Sequence, residues 1–183
     1  MDGNWQEEVL DFWFQELTPQ QWFAGGDALD AQIAQRFSGL LAELTGQIPA
    51  SALLESEAAL AAILALDQFS RNMFRGTANA FAQDSLAAAL THNALRQGFD
   101  RAMTEQQRMF LYMPLMHSEQ LADQELCVRL FRELGNQSSL TYAMEHRDVI
   151  ARFGRFPHRN AALRRQTTPD EVQFLEGANR YGQ

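Results

Sequence analysis

A chain of 183 residues, 46% hydrophobic and 21% charged, is long enough to bury a sizeable core without disulfides or structural metal, and this composition excludes a disordered protein. A formal net charge of -8 and a pI near 4.9 argue against nucleic acid or an anionic membrane as the main partner, because both reward a basic surface. All 15 cationic side chains are arginines, which excludes lysine Schiff-base chemistry, and the lone Cys127 excludes an internal disulfide or a Cys-rich zinc site.

Helical periodicity runs almost throughout, and no alternating β-branched stretch bounded by hairpin turns appears, so the chain reads as all-α. Its N-terminus, Met1 to Glu8, lacks a basic segment followed by an apolar one, and no apolar run approaches bilayer length. A cytoplasmic protein folded as one helical domain over residues 1–183 is expected. The first helix, Trp5 to Glu16, carries Val9, Phe12 and Trp13 on one side and stops at Thr18-Pro19, before the aromatic pair Trp22-Phe23. From Asp27 to Leu44, Ile33, Phe37, Leu40, Leu41 and Leu44 recur at helical spacing, up to Thr45-Gly46. After Pro49, the segment Ser56 to Phe74 is apolar nearly all round, which predicts a central buried helix ending at Gly76.

A further helix is expected from Phe81 to Gln97, with Asp84 near its positive end and Gly98 as its stop. Thr104 and Gln107 form a capping box for a short helix that Pro114 should interrupt. Helices follow over Glu119 to Leu134, with Ser118 as N-cap, and over Ser139 to Phe153; Thr168-Pro169-Asp170-Glu171 opens a terminal one. Short turns would pair these elements into a tetratricopeptide-like stack of antiparallel helical hairpins, about eight helices in all, although no 34-residue consensus repeats.

Three segments place charge where periodicity predicts core. In Asp67-Gln68-Phe69-Ser70-Arg71-Asn72, the Asp67 and Arg71 side chains share a helix face and can pair, or Arg71 and Asn72 can project into a cleft. His117-Ser118-Glu119 has a complete explanation as a capped helix start except for His117. His146-Arg147-Asp148 leads into Arg152-Phe153-Gly154-Arg155-Phe156-Pro157-His158-Arg159-Asn160, where the arginines exceed what one helix end requires. Either they hold an anion, or they form a buried network with Asp67, Asp84 and Glu119, because a charge taken out of water costs several kcal/mol unless paired.

These blocks, Leu66 to Asn72, Phe110 to Glu119 and Arg152 to Asn160, followed by Thr167-Thr168 and Glu171, resemble the DUF924 family of bacterial proteins of unknown function. Its members carry blocks nearly in the forms Asp-Gln-Phe-Pro-Arg-Asn, Pro-Phe-Met-His-Ser-Glu and Phe-Gly-Arg-Phe-Pro-His-Arg-Asn. The resemblance covers essentially the whole chain and implies a tetratricopeptide-like helical fold, with no established activity. Three positions depart from it: Ser70 stands in place of Pro, Leu115 in place of Phe, and Arg164 in place of Gly.

The leading functional expectation is a pocket that binds an anionic small molecule or acidic peptide. Arg71, Asn72, His117, Arg152, Arg155, His158 and Arg159 would line it, with Asp67 and Glu119 orienting the cations and Phe69, Phe153 and Phe156 as an apolar wall. An alternative is a hydrolase or transferase with His117 or His158 as general acid or base, although no Gly-x-Ser-x-Gly elbow, phosphate-binding Gly-Lys loop or His-Glu-x-x-His helix is present. A third is a protein-interaction scaffold, or a homo-oligomer, in which the charged blocks only fix the fold. No cofactor is expected, and no metal, because the spacing of His117, Glu119, His146 and His158 matches no ligand pattern.

Overall fold

The computed structural model describes residues 4–177, and no strand occurs among them. α1 (Trp5–Asp11) runs directly into a π-helical turn, Phe12–Glu16, filling the expected span. Thr18-Pro19 does more than stop that helix. Pro19 takes the first position of a short α2 (Pro19–Ala24), where its missing N–H costs no hydrogen bond, and Gln21 Oε1 accepts from Thr18 N at 2.9 Å. α3 (Asp27–Gly46) buries Ile33, Phe37, Leu41 and Leu44, and a short α4 (Ala50–Leu54) follows Pro49.

The apolar run becomes the centre of the molecule. α5 (Ser56–Leu64), a π-helical turn (Ala65–Phe69) and α6 (Ser70–Met73) continue into one another, and every residue from Ala58 to Arg71 is buried. Its alanines let α1, α7 (Asp84–Gln97) and α8 (Glu105–His117) pack around α5, while α3 covers the π turn and α6. Phe37 and Phe69 rings meet at 4.7 Å, Phe12 and Phe37 at 5.1 Å, and Trp13 and Phe110 at 5.3 Å. Rings buried in this way contribute about 1.5–3 kcal/mol each to holding these helices together.

Three boundaries differ from the sequence reading. α7 begins at Asp84 rather than Phe81, because Ala78–Phe81 closes into a 3-10 turn. Pro114 does not interrupt α8: it lies within the helix, and the Thr91 hydroxyl of α7 donates to Leu111 O at 2.9 Å beside the turn that lacks the proline donor. α9 (Leu121–Leu134) starts later than Glu119, and Ser118 does not cap it from the expected position. Ser118 Oγ instead accepts from Gln120 N at 3.2 Å and donates to Asp123 Oδ2 at 2.7 Å.

α9 and α10 (Gln137–Phe153) form a hairpin across Gly135, whose φ of 79° supplies the left-handed turn, and Asn136 Oδ1 caps α10 by accepting from Ser139 N at 2.9 Å. Beyond it, Val149, Ile150 and Phe156 make a small second cluster against Phe153 and Phe174, the latter from α11 (Pro169–Gly177). The chain is thus all-α, as its periodicity implies. Among the described residues, no helix is long and apolar enough to cross a membrane.

Candidate functional site

The π turn carries Asp67, 1% exposed, and it is the hub of a buried network. Asp67 Oδ1 lies 2.7 Å from His117 Nδ1 and 3.0 Å from Arg71 Nη1, while Oδ2 accepts from the Gln68 amide. A carboxylate only accepts, so His117 Nδ1 carries the proton and Nε2 is the ring's other nitrogen. Burial works against ionisation of Asp67, but the Arg71 charge and the hydrogen bonds from His117 and Gln68 hold its carboxyl well below the usual range. Burial, then the Arg71 charge, keep His117 below its ordinary pKa against the pull of Asp67, and so neutral.

Asp84, at the start of α7, joins two arginines. Its Oδ2 accepts from Arg71 Nη2 at 3.0 Å and from Arg159 Nη1 at 2.9 Å. Arg159 Nη2 donates to His117 O at 2.9 Å, and its guanidinium lies 4.5 Å from the ring centres of both Phe81 and Phe156. Burial lowers the Arg159 pKa to about 10, which still leaves it cationic at neutral pH, and its buried Nε has no hydrogen-bond partner. Burial, with Arg159 next, pushes His158 down to about 4; burial, with His117 next, pushes His146 down to about 3.

A second network holds the chain between α10 and α11. Arg165 makes a bidentate pair with Glu119 at 2.7 and 3.0 Å, and Glu119 Oε1 also accepts from Phe156 N at 2.8 Å. Arg155 makes a bidentate pair with Glu171 at 2.6 and 2.8 Å and donates to Gln166 O at 2.7 Å. Asn160 ties the two together, its Oδ1 accepting from Arg165 Nε at 3.0 Å and its Nδ2 donating to Glu171 Oε2 at 3.2 Å. The Arg155 hydrogen bond, then the Thr168 backbone, bring the Glu171 carboxyl down to about 2. Thr168 N donates to Glu171 Oε2 at 2.8 Å, completing the helix cap expected from Thr168 and Glu171.

Next to the first network lies a cavity of about 620 Å³. Arg71, Asn72 and Arg75 line it beside the end of α6, His158 and Arg159 line it from the 3-10 turn Pro157–Arg159, and His117 from the end of α8. α8 adds Met109, Met113 and Met116, α2 adds Trp22 and Phe23, and α10 adds Ser139, Tyr142 and His146. None of the described residues lining it is acidic, because Asp30, Asp67 and Asp84 lie behind the guanidiniums they pair with. Arg75 takes Asp30 with Nε at 3.0 Å and Nη2 at 3.1 Å, and Asn72 Nδ2 donates to Asp30 Oδ1 at 2.7 Å. A Cβ on Gly25, at φ 63°, would come within 3.3 Å of Arg75 Nη2, so the glycine leaves the guanidinium room.

The structure brings together Arg71, Asn72, His117, His158 and Arg159 around this cavity, with Asp67 directly behind. It does not bring Glu119, Arg152 or Arg155 there. Glu119 and Arg155 are engaged in the second network, and Arg152 is exposed with its guanidinium 4.6 Å from the Phe153 ring. The expected apolar wall is also corrected: Phe69 belongs to the main core, while Phe153 and Phe156 form the second cluster. Arg75, His146, the α2 aromatics and the α8 methionines take part without having been singled out as site residues. Arg75 stands one helical turn beyond Arg71, and Met109, Met113 and Met116 recur at helical spacing with His117, which are the sequence signals that could have found them.

A family model described as "Bacterial protein of unknown function (DUF924)" matches residues 9–179. A solved structure of a protein of unknown function, ATU0120 from Agrobacterium tumefaciens, is 40% identical and superposes with a TM-score of 0.90, covering 94% of this chain and 97% of that one. No curated protein matches. The ordered charged blocks, the shared fold and a family match over nearly the full length agree: this chain belongs to the DUF924 family.

Proposed function

We propose that the protein binds an anionic small molecule in the cavity between α2, α6, α8 and α10. The observation that carries this reading is the convergence of Arg71, Asn72, Arg75 and Arg159 with three histidines on one cavity that has no acidic lining residue among those described. Pairing with Asp67, Asp84 and Asp30 does not exhaust the guanidiniums, because each carries five N–H donors in a fixed plane. The carboxylates orient those donors, and a volume of about 620 Å³ falls in the range of small-molecule sites. Thermal unfolding against a panel of carboxylates, phosphates and nucleotides tests it. A binding anion should raise the midpoint by mass action in wild type and in Arg155→Ala, which lies outside the cavity, and should raise it less in Arg75→Ala. Equal shifts in all three proteins, or none, would contradict the reading.

The Asp67–His117 contact of 2.7 Å favours a second reading, a hydrolase or transferase acting on the bound anion. A buried carboxylate that fixes the tautomer of a neutral imidazole is an arrangement used for general-base catalysis. In this reading Nε2 of His117 takes the proton of an attacking water or hydroxyl. The same panel, followed for turnover, checks it: His117→Asn should stop product formation while the ligand-induced shift persists, and no turnover by wild type would reject it.

A further inference from the structure

The charge census around the cavity and the composition of its lining narrow the ligand class. Three guanidiniums line it, and three carboxylates already balance them: Arg71 pairs with Asp67 and Asp84, Arg159 with Asp84, and Arg75 with Asp30. The histidines add no charge, because burial lowers His117, His146 and His158 alike. A ligand of three or four negative charges would therefore meet no surplus of positive charge in a partly closed space, where desolvation is not recovered. A single carboxylate needs only N–H donors. Arg71 Nη1 is taken up by Asp67 and Asp84, but Arg71 Nη2 and the two η nitrogens of Arg159 carry two N–H groups each against one protein acceptor each, and so retain donors.

The remainder of the lining is apolar and adaptable. Met109, Met113 and Met116 form a thioether stripe along one side of α8. Trp22 spends its indole N–H on Trp13 O at 2.7 Å and so presents carbon to the cavity. Phe23 is 62% exposed although it lines the cavity and stacks on Phe110 with ring centres 6.2 Å apart, an apolar surface that the fold itself leaves uncovered.

From this arrangement we infer that the cavity takes a singly charged organic acid, its carboxylate on Arg71 and Arg159 and an aryl or acyl body against Trp22, Phe23 and the α8 methionines, in preference to phosphates or nucleotides. The inference rests on the anion-binding reading and sharpens it. Isothermal titration of the full chain at pH 7 with benzoate, hexanoate, acetate, inorganic phosphate and ATP tests it. Benzoate or hexanoate should bind roughly tenfold or more tighter than acetate, and phosphate and ATP more weakly than either. Phe23→Ser, at an exposed position, should weaken the better carboxylate by roughly threefold or more while leaving the unfolding midpoint unchanged. ATP or phosphate binding more tightly than the carboxylates would overturn the inference and leave the anion site standing. Equal affinity for acetate and hexanoate, or indifference to Phe23→Ser, would also overturn it. No binding by any of the five would remove both the inference and the reading beneath it.

Discussion

At Asp67, one buried carboxylate serves His117, Arg71 and Gln68 at once, while burial keeps the histidines packed among these fixed cations neutral. His146 illustrates it. Its Nδ1 donates to Tyr142 O at 2.7 Å, its ring meets Phe156 at 5.5 Å, and its folded pKa of about 3 lies far below the ordinary value of about 6.5. His158, at about 4, behaves in the same way. A depressed folded pKa means that the unfolded chain binds the proton first, so stability is full above about pH 6.5 and falls as the pH drops toward those folded values. Asp67 acts lower on the scale: its stabilisation persists above the ordinary carboxylate range and is lost only in stronger acid. Between pH 7 and 5 the histidines therefore dominate, at about 2 kcal/mol for a fully buried one such as His146. Denaturant unfolding at both pH values should show that loss in wild type and a smaller one in His146→Gln; stability unchanged between pH 7 and 5 would contradict the neutral cluster.

Among the elements, the connection from α10 to α11 depends most on a backbone feature invisible to periodicity. Arg164 is the one non-glycine with positive φ among the described residues, at 53°, and its left-handed turn returns Arg165 N to Asn160 O at 2.8 Å while the Arg165 side chain reaches Glu119. This is the position at which the family resemblance puts glycine. Arg164→Gly should relieve the backbone cost, partly offset by greater freedom of the unfolded chain, and raise the unfolding midpoint by about 1–4 °C. A lowered midpoint would show that the arginine side chain contributes more than the backbone costs. The same elements mark how far sequence reasoning reached. The stripe in α3 and the capping box opening α8 were legible because they are local patterns. Pro114 was misread because Thr91, from a distant part of the chain, serves a carbonyl beside it, and Ser118 because Asp123 holds its hydroxyl. The two π turns leave no periodic signature.

Over the whole molecule, the charged blocks divide into two systems with different work. Arg155, Arg165, Glu119 and Glu171 fasten the C-terminal arm. Arg71, Arg159, Asp67 and Asp84 join helices distant in sequence, and the two arginines line one side of the cavity. Sequence could collect these residues but could not sort them, because the sorting depends on which acid each guanidinium meets across the fold. The histidines provide an internal control for anion binding in the cavity. His117, His146 and His158 line the cavity, whereas His92 lies 2.7 Å from Asp123 and does not line it. The direct test is to follow all four histidine ring resonances by NMR while titrating the full chain with benzoate, and then with inorganic phosphate. Anion binding in the cavity should shift the rings of His117, His146 and His158 together, with saturation by at least one of these anions, while His92 stays in place. Shifts at His92 alone, or no saturable shift at any cavity histidine, would contradict it.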